Sequence, residues 1–200
     1  MIFAVISSVV MAQQAPMFTN YSNSYATINP GYGGLSEGIN IMGIYRDQWT
    51  GFKDINGNAV APNTMMFSGD MPVKFLRGGA SLSIMKDQIG FEDNINVNLG
   101  YSYHLDLGPG VLGMGLALNM INRSVDFGQF KPTVDNDPAL PTGEQSAMLV
   151  DASFGLFWQI PESFYIGISA TNLFESKGKE LLENSSTSAS FMGDRTFYLT

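Results

Sequence analysis

From Ile95 to Leu107 the chain alternates without a break. Ile95, Val97, Leu99, Tyr101, Tyr103, Leu105 and Leu107 are set against Asn96, Asn98, Gly100, Ser102, His104 and Asp106. A period of two is that of a β-strand with one apolar and one polar face. The next segment repeats it, with Leu112, Met114, Leu116, Leu118 and Met120 on one side and Gly113, Gly115, Ala117 and Asn119 on the other. A third copy sets Met148, Val150, Ala152, Phe154, Leu156 and Trp158 against Ala147, Asp151, Ser153, Gly155 and Gln159, blurred by Leu149 and Phe157. Weaker copies run over 39–45, 64–71, 76–85, 164–171 and 195–200. The pattern predicts about eight strands and no convincing helix.

Which way the apolar face points follows from what lies opposite it. A soluble sandwich turns its polar face to water and fills it with Lys, Glu and Arg. Here the polar faces carry Asn, Ser, Gly and Thr, and Arg46, Asp106 and Asp151 are the charges the alternation places there. A transmembrane barrel reverses the arrangement, with apolar residues toward lipid, a polar lumen and aromatics near the strand ends. Tyr101, Tyr103, Trp158, Phe164 and Tyr165 stand at or near segment ends, as an interfacial girdle requires. The connections agree. A long one over 46–63, a short one over 72–74, a medium one over 86–94 and a tight 108–110 are followed by a long 123–145, a tight 161–163 and a long 172–194. Up-and-down outer-membrane barrels alternate long loops with short periplasmic turns in this way. The expected fold class is therefore all-β, a transmembrane antiparallel up-and-down β-barrel.

Composition sharpens this reading. Charged residues make up 14% of the 200 residues, where a soluble domain carries about 25%. The absence of Cys excludes thiol chemistry and Cys-based metal sites. A net charge of -8 argues against a nucleic-acid partner, whose phosphates would repel it. Ile2 to Met11 is an apolar run of the length of a signal-peptide core, and Val10-Met11-Ala12 supplies the small residues at a cleavage point before Gln13. No Lys or Arg precedes the run. The expected organisation is a signal peptide over 1–12, short of a charged start, and a barrel domain over 13–200.

No catalytic signature is present, and no cofactor is implied. One His cannot build a paired-histidine metal motif, and Gly31-Tyr32-Gly33-Gly34 lacks the Lys and Ser/Thr of a phosphate loop. His104 lies on the polar face among Asn and Asp, which suits a lumenal hydrogen bond. Asp54-Ile55-Asn56-Gly57-Asn58 has the beginning of a calcium loop without its downstream Glu, so a surface turn is the plainer reading; Asp135-Asn136-Asp137-Pro138 reads the same way. The Ser/Thr-rich stretch from Asn184 to Ser190 reads as a loop tip.

Gln13-Gln14-Ala15-Pro16-Met17-Phe18-Thr19-Asn20-Tyr21 and Ile28-Asn29-Pro30-Gly31-Tyr32-Gly33-Gly34 resemble the opening of the PorP/SprF-like outer-membrane proteins of the type IX secretion and gliding machinery. Gly31 and Gly33 stand where that family prefers Ala, and one extra residue precedes Pro16. Tyr45-Arg46-Asp47-Gln48-Trp49, Lys86-Asp87 with Gly90, Tyr101-Ser102-Tyr103, 169–173 and 194–199 follow in the family's order. The resemblance implies a non-enzymatic outer-membrane barrel of a Gram-negative bacterium, embedded in outer-membrane lipid. Its implied partners are periplasmic type IX secretion components and large secreted or surface-anchored proteins such as adhesins. The motif positions are Asn29, Pro30, Tyr32, Gly34, Arg46, Gln48, Trp49, Asp87 and Gly90. Their plainer readings are a turn leading into a strand for Asn29-Pro30 and Gly34, and a lumenal contact with an interfacial Trp for Arg46, Gln48 and Trp49. The alternative function is a passive porin or hydrophobic-solute transporter. Relatives are longer, so the chain is expected to be a truncated part of a larger barrel, an open sheet of about eight strands.

Overall fold

The structure, a computed structural model, describes residues 25–36, 38–54, 57–58, 60–129, 143–178 and 191–200. The proposed signal peptide, the 13–21 motif, Asp135 to Pro138 and the Ser/Thr-rich stretch lie outside the described residues. A short helix α1 (Tyr25–Ile28) and a 3-10 turn (Pro30–Tyr32) lead into eight strands: β1 (Asn40–Asp47), β2 (Asn63–Val73), β3 (Gly78–Ile89), β4 (Glu92–Leu107), β5 (Gly110–Asp126), β6 (Glu144–Ile160), β7 (Phe164–Thr171) and β8 (Thr196–Leu199). Each strand pairs antiparallel with the next, in the order β1 to β8, and the sheet curves into a half-barrel. No helix among the described residues is long and apolar enough to cross a membrane.

The registers assign every side chain to a face. Ile41, Phe67, Ile84, Leu99, Leu116, Phe154 and Ile168 point outward and are exposed, whereas Ser68, Asp70, Ser81, Asp87, Ser102, Asn119, Asp151 and Ser153 point inward and are buried. Exposed apolar and buried polar residues together invert a water-soluble fold, and the outer surface is that of a barrel wall facing lipid. Its apolar band begins at the short turns and ends near the row Ile95, Asn122 and Met148. Beyond that row the outward residues become Asp93, Ser124, Ser146 and Glu144. β4, β5 and β6 run 16, 17 and 17 residues, against about ten needed to cross a bilayer, so they project well past it at the long-loop end. Tyr101, Tyr103, Trp158 and Phe164 lie on the outward face near the short turns, where a girdle belongs. Tyr165 does not: it shares the inner face with Phe157 and Gly167.

Three connections differ from expectation because strands that have left the bilayer no longer need an apolar outer face. The medium loop expected over 86–94 is a two-residue turn, Gly90-Phe91, with Lys86, Asp87 and Asn94 inside strands. Gly90 takes φ +61 there, a conformation glycine adopts readily. Likewise β5 continues to Asp126 and β6 starts at Glu144, and the first long loop is 48–62. Over the tight β3–β4 turn the longer loops approach one another, the Asn58 amide donating to Gln129 Oε1 at 3.3 Å. Asp54 accepts from both the backbone and the side-chain nitrogen of Asn58, at 2.8 and 3.0 Å, the arrangement of a closed turn.

Candidate functional site

Residues 25–36 do not lead directly into β1. They cross the inner face of the sheet from β7 to β2 as a strap near the short turns. The bed beneath them is one continuous register row supplied by five consecutive strands: Gly79, Ser102, Gly115, Gly155 and Ser169. The glycines make room, since a strand glycine often marks the close approach of another backbone. A methyl group at Gly155 would run into the Asn29 side chain, at Gly115 into the Pro30 backbone, and at Gly79 into Gly33 and Gly34. The serines make the bonds: Ser169 Oγ donates to the Ile28 carbonyl at 2.7 Å and Ser102 Oγ to the Gly31 carbonyl at 2.9 Å. His104, one row nearer the turns, holds the Gly33 carbonyl at 3.0 Å through Nε2, which therefore carries a proton.

Asn29 is the anchor. It is fully buried, and its amide nitrogen donates to the Leu156 carbonyl of β6 at 3.0 Å and the Ile168 carbonyl of β7 at 3.3 Å. Its Oδ1 accepts from Gly31 N at 2.9 Å, capping the turn that Pro30 begins. At the other end the Asp70 carboxylate accepts from Gly34 N at 3.0 Å and from the Asn40 amide at 3.3 Å, joining strap, β1 and β2. Gly34 sits at φ +70 against Gly79 and Met71. Around the β6 end, Tyr25, Tyr32, Phe157 and Tyr165 form an aromatic cluster with ring centroids 5.1 to 5.7 Å apart. The Tyr25 phenol is pushed up to about 12, first by its hydrogen bond with the Tyr165 hydroxyl and then by burial. Burial, and then the negative charge of Asp70, raise Tyr32 as well.

The structure thus brings Asn29, Pro30, Tyr32 and Gly34 together on the strap, which crosses the inner face of the sheet before the chain enters β1. The other motif positions lie elsewhere, at the long-loop end. Arg46 and Asp87 share an inner-face row, Arg46, Thr64, Asp87, Asn94 and Arg123, with Thr64 donating to the buried Asp87 carboxylate at 2.5 Å. Arg123 closes that row with an ion pair to Glu92 at 2.7 Å. Gln48 donates its backbone N–H to Pro62, while Trp49 is 73% exposed in the β1–β2 loop at φ +54. Gly90 forms its turn with open space around it. Arg46, Asp106 and Asp151 are on the inner face as expected, but Asp70, Asp87, Glu92 and Arg123 join them there. Asp151 accepts the N–H groups of Phe174 and Ser176, both at 2.9 Å, and so draws the start of the β7–β8 loop into the lumen.

Gly79, Gly115 and Gly155 are the positions of the strap's bed that sequence reasoning did not single out as a site. The available signal was a set of inward glycines in several strands, which a water-filled lumen does not require. The curved antiparallel wall, its lipid-facing band and its strapped inner face define a membrane β-barrel protein. The PorP/SprF family, described as type IX secretion system membrane proteins, matches residues 10–200, and the chain belongs to it. That family is a component of a secretion apparatus and not an enzyme family. No curated protein and no solved structure matches the chain.

Proposed function

We propose that this chain is part of a non-enzymatic outer-membrane barrel of the type IX secretion system, which supports the secretion or surface anchoring of partner proteins such as adhesins. The observation that carries the reading is the family match over residues 10–200. A signal peptide over 1–12 would export the domain from Gln13, and the short-turn end with its strap would face the periplasm and the other secretion components. The long-loop end, with Arg46, Gln48, Trp49, Asp87 and Gly90, would face the outside and the secreted partners. The strap lies across the lumenal wall and the start of the β7–β8 connection is drawn inward by Asp151, which favours docking over passive solute conduction. Deleting the gene should abolish surface display of large secreted partners, and restoring it should recover display. Unchanged secretion in the deletion strain, together with ion conductance by the purified protein in planar bilayers, would overturn this in favour of a porin.

A further inference from the structure

The strap is folded on its own terms. Its main-chain hydrogen bonds close within itself: Asn29 N to the Tyr25 carbonyl, Tyr32 N to Asn29, Gly33 N to Pro30 and Leu35 N to Tyr32. It adds no strand to the sheet, whose order runs unbroken from β1 to β8 without it. The sheet in turn holds it by side chains reaching its backbone, from Ser169, Ser102, His104 and Asp70. Undocking it therefore breaks no rung of the barrel wall. A preorganised turn lying on a glycine-serine row has the geometry of a bound peptide ligand, since preorganisation lowers the cost of ordering on binding.

We propose that the inner-face row Gly79, Ser102, Gly115, Gly155 and Ser169 is a peptide-binding site for an Asn-Pro-Gly-Tyr-Gly-Gly turn, filled in cis by this chain's own residues 25–36. Recognition rests on three elements. Glycines admit the close approach of a flat backbone, serines read its carbonyls, and the Leu156 and Ile168 carbonyls accept an amide donor at the Asn position. The inference stands on the docking geometry and is independent of the proposed role in secretion.

Tethering gives the cis strap an effective concentration in the millimolar range, so a free peptide competes poorly until the cis copy is weakened. The test uses the full chain in detergent micelles and a fluorescent peptide with the sequence of residues 25–36, followed by anisotropy. Asn29→Ala in the chain should let the peptide bind at least tenfold more tightly than to the unaltered protein, and the same substitution in the peptide should abolish the gain. A lock supplies the converse. An ideal Cβ at Gly33 lies 3.4 Å from Ser81 Cβ, near the separation of about 3.5–4.5 Å found in disulfides, and the chain has no Cys of its own. Placed in the Asn29→Ala chain, oxidised Gly33→Cys with Ser81→Cys should refuse the peptide, and reduction should restore the tighter binding. Where Asn29→Ala fails to give a heat-modifiable barrel, Gly34→Ala, strained at φ +70 against Gly79, weakens the strap instead. Folded, strap-weakened chains that bind the peptide no better than the unaltered protein would overturn the proposal, as would equal binding by locked and reduced forms.

Discussion

Asn29 and Asn96 both present an amide to the inner face, yet they stand in opposite situations. Asn29, in the half nearer the short turns, is fully buried and uses both ends of its amide on backbone groups. Asn96, in the half nearer the long loops, has a buried Oδ1 that meets no hydrogen-bond partner among the described residues. The first half is a packed bed of Gly and Ser under a strap. The second is a polar surface of Asn, Thr, Asp and Arg. One alternating polar pattern therefore encodes two different things, a packed interior and a lumen lining, and the residue type at each inward position decides which.

The sharpest way to break this contrast is Gly155→Val. Strand propensity alone favours Val, but its side chain would displace Asn29 and the strap. We expect a loss of about 3 kcal/mol, as for severe overpacking, read as a lower urea midpoint in lipid vesicles; an unchanged or higher midpoint would mean that the strap is not packed on the bed. Asn29→Ala comes next, leaving the Gly31 N–H without its side-chain acceptor and removing the amide donor from the Leu156 and Ile168 carbonyls. A cost of about 2 kcal/mol is expected, measured the same way. Asp151→Ala should act locally, raising hydrogen exchange about tenfold at Phe174 and Ser176 as their acceptor disappears while β4 and β5 keep their protection; uniform deprotection would show that Asp151 supports the wall itself. The smallest effect belongs to Asn96→Ala. Removing a group without a protein partner should shift the midpoint by less than about 0.5 kcal/mol, and a loss comparable to that of Asn29→Ala would erase the difference between the two halves.

Much of this was legible in advance, and the particulars explain where it stopped. The alternation over 95–107 and 112–120 located β4 and β5 and told their two faces apart, because lipid on one side forces apolar side chains at every second position. Legibility failed where that force ends. Lys86, Gln88 and Asp93 point outward above the bilayer, so their polarity looked like a loop and concealed the Gly90-Phe91 turn. Leu149 and Phe157 blurred the pattern of β6 because both point inward and are almost fully buried, Phe157 beneath the tyrosines of the strap. The motif positions of the strap were visible as a string, Asn29 to Gly34, but their partners Gly79, Ser102, Gly155 and Ser169 are spread over about ninety residues of chain.

The sequence by itself determined the class of wall, the number of strands, the direction of their faces and the family to which the chain is similar, since each follows from local periodicity or from short ordered motifs. Only the tertiary structure decided that Asn29 to Gly34 lie across the lumenal wall, that five strands align glycine and serine into one row beneath them, and that Asp151 draws a loop inward. Those contacts depend on strand register. A shift of one residue sends every side chain to the other face, and the register of each strand is set by its turns and neighbours together.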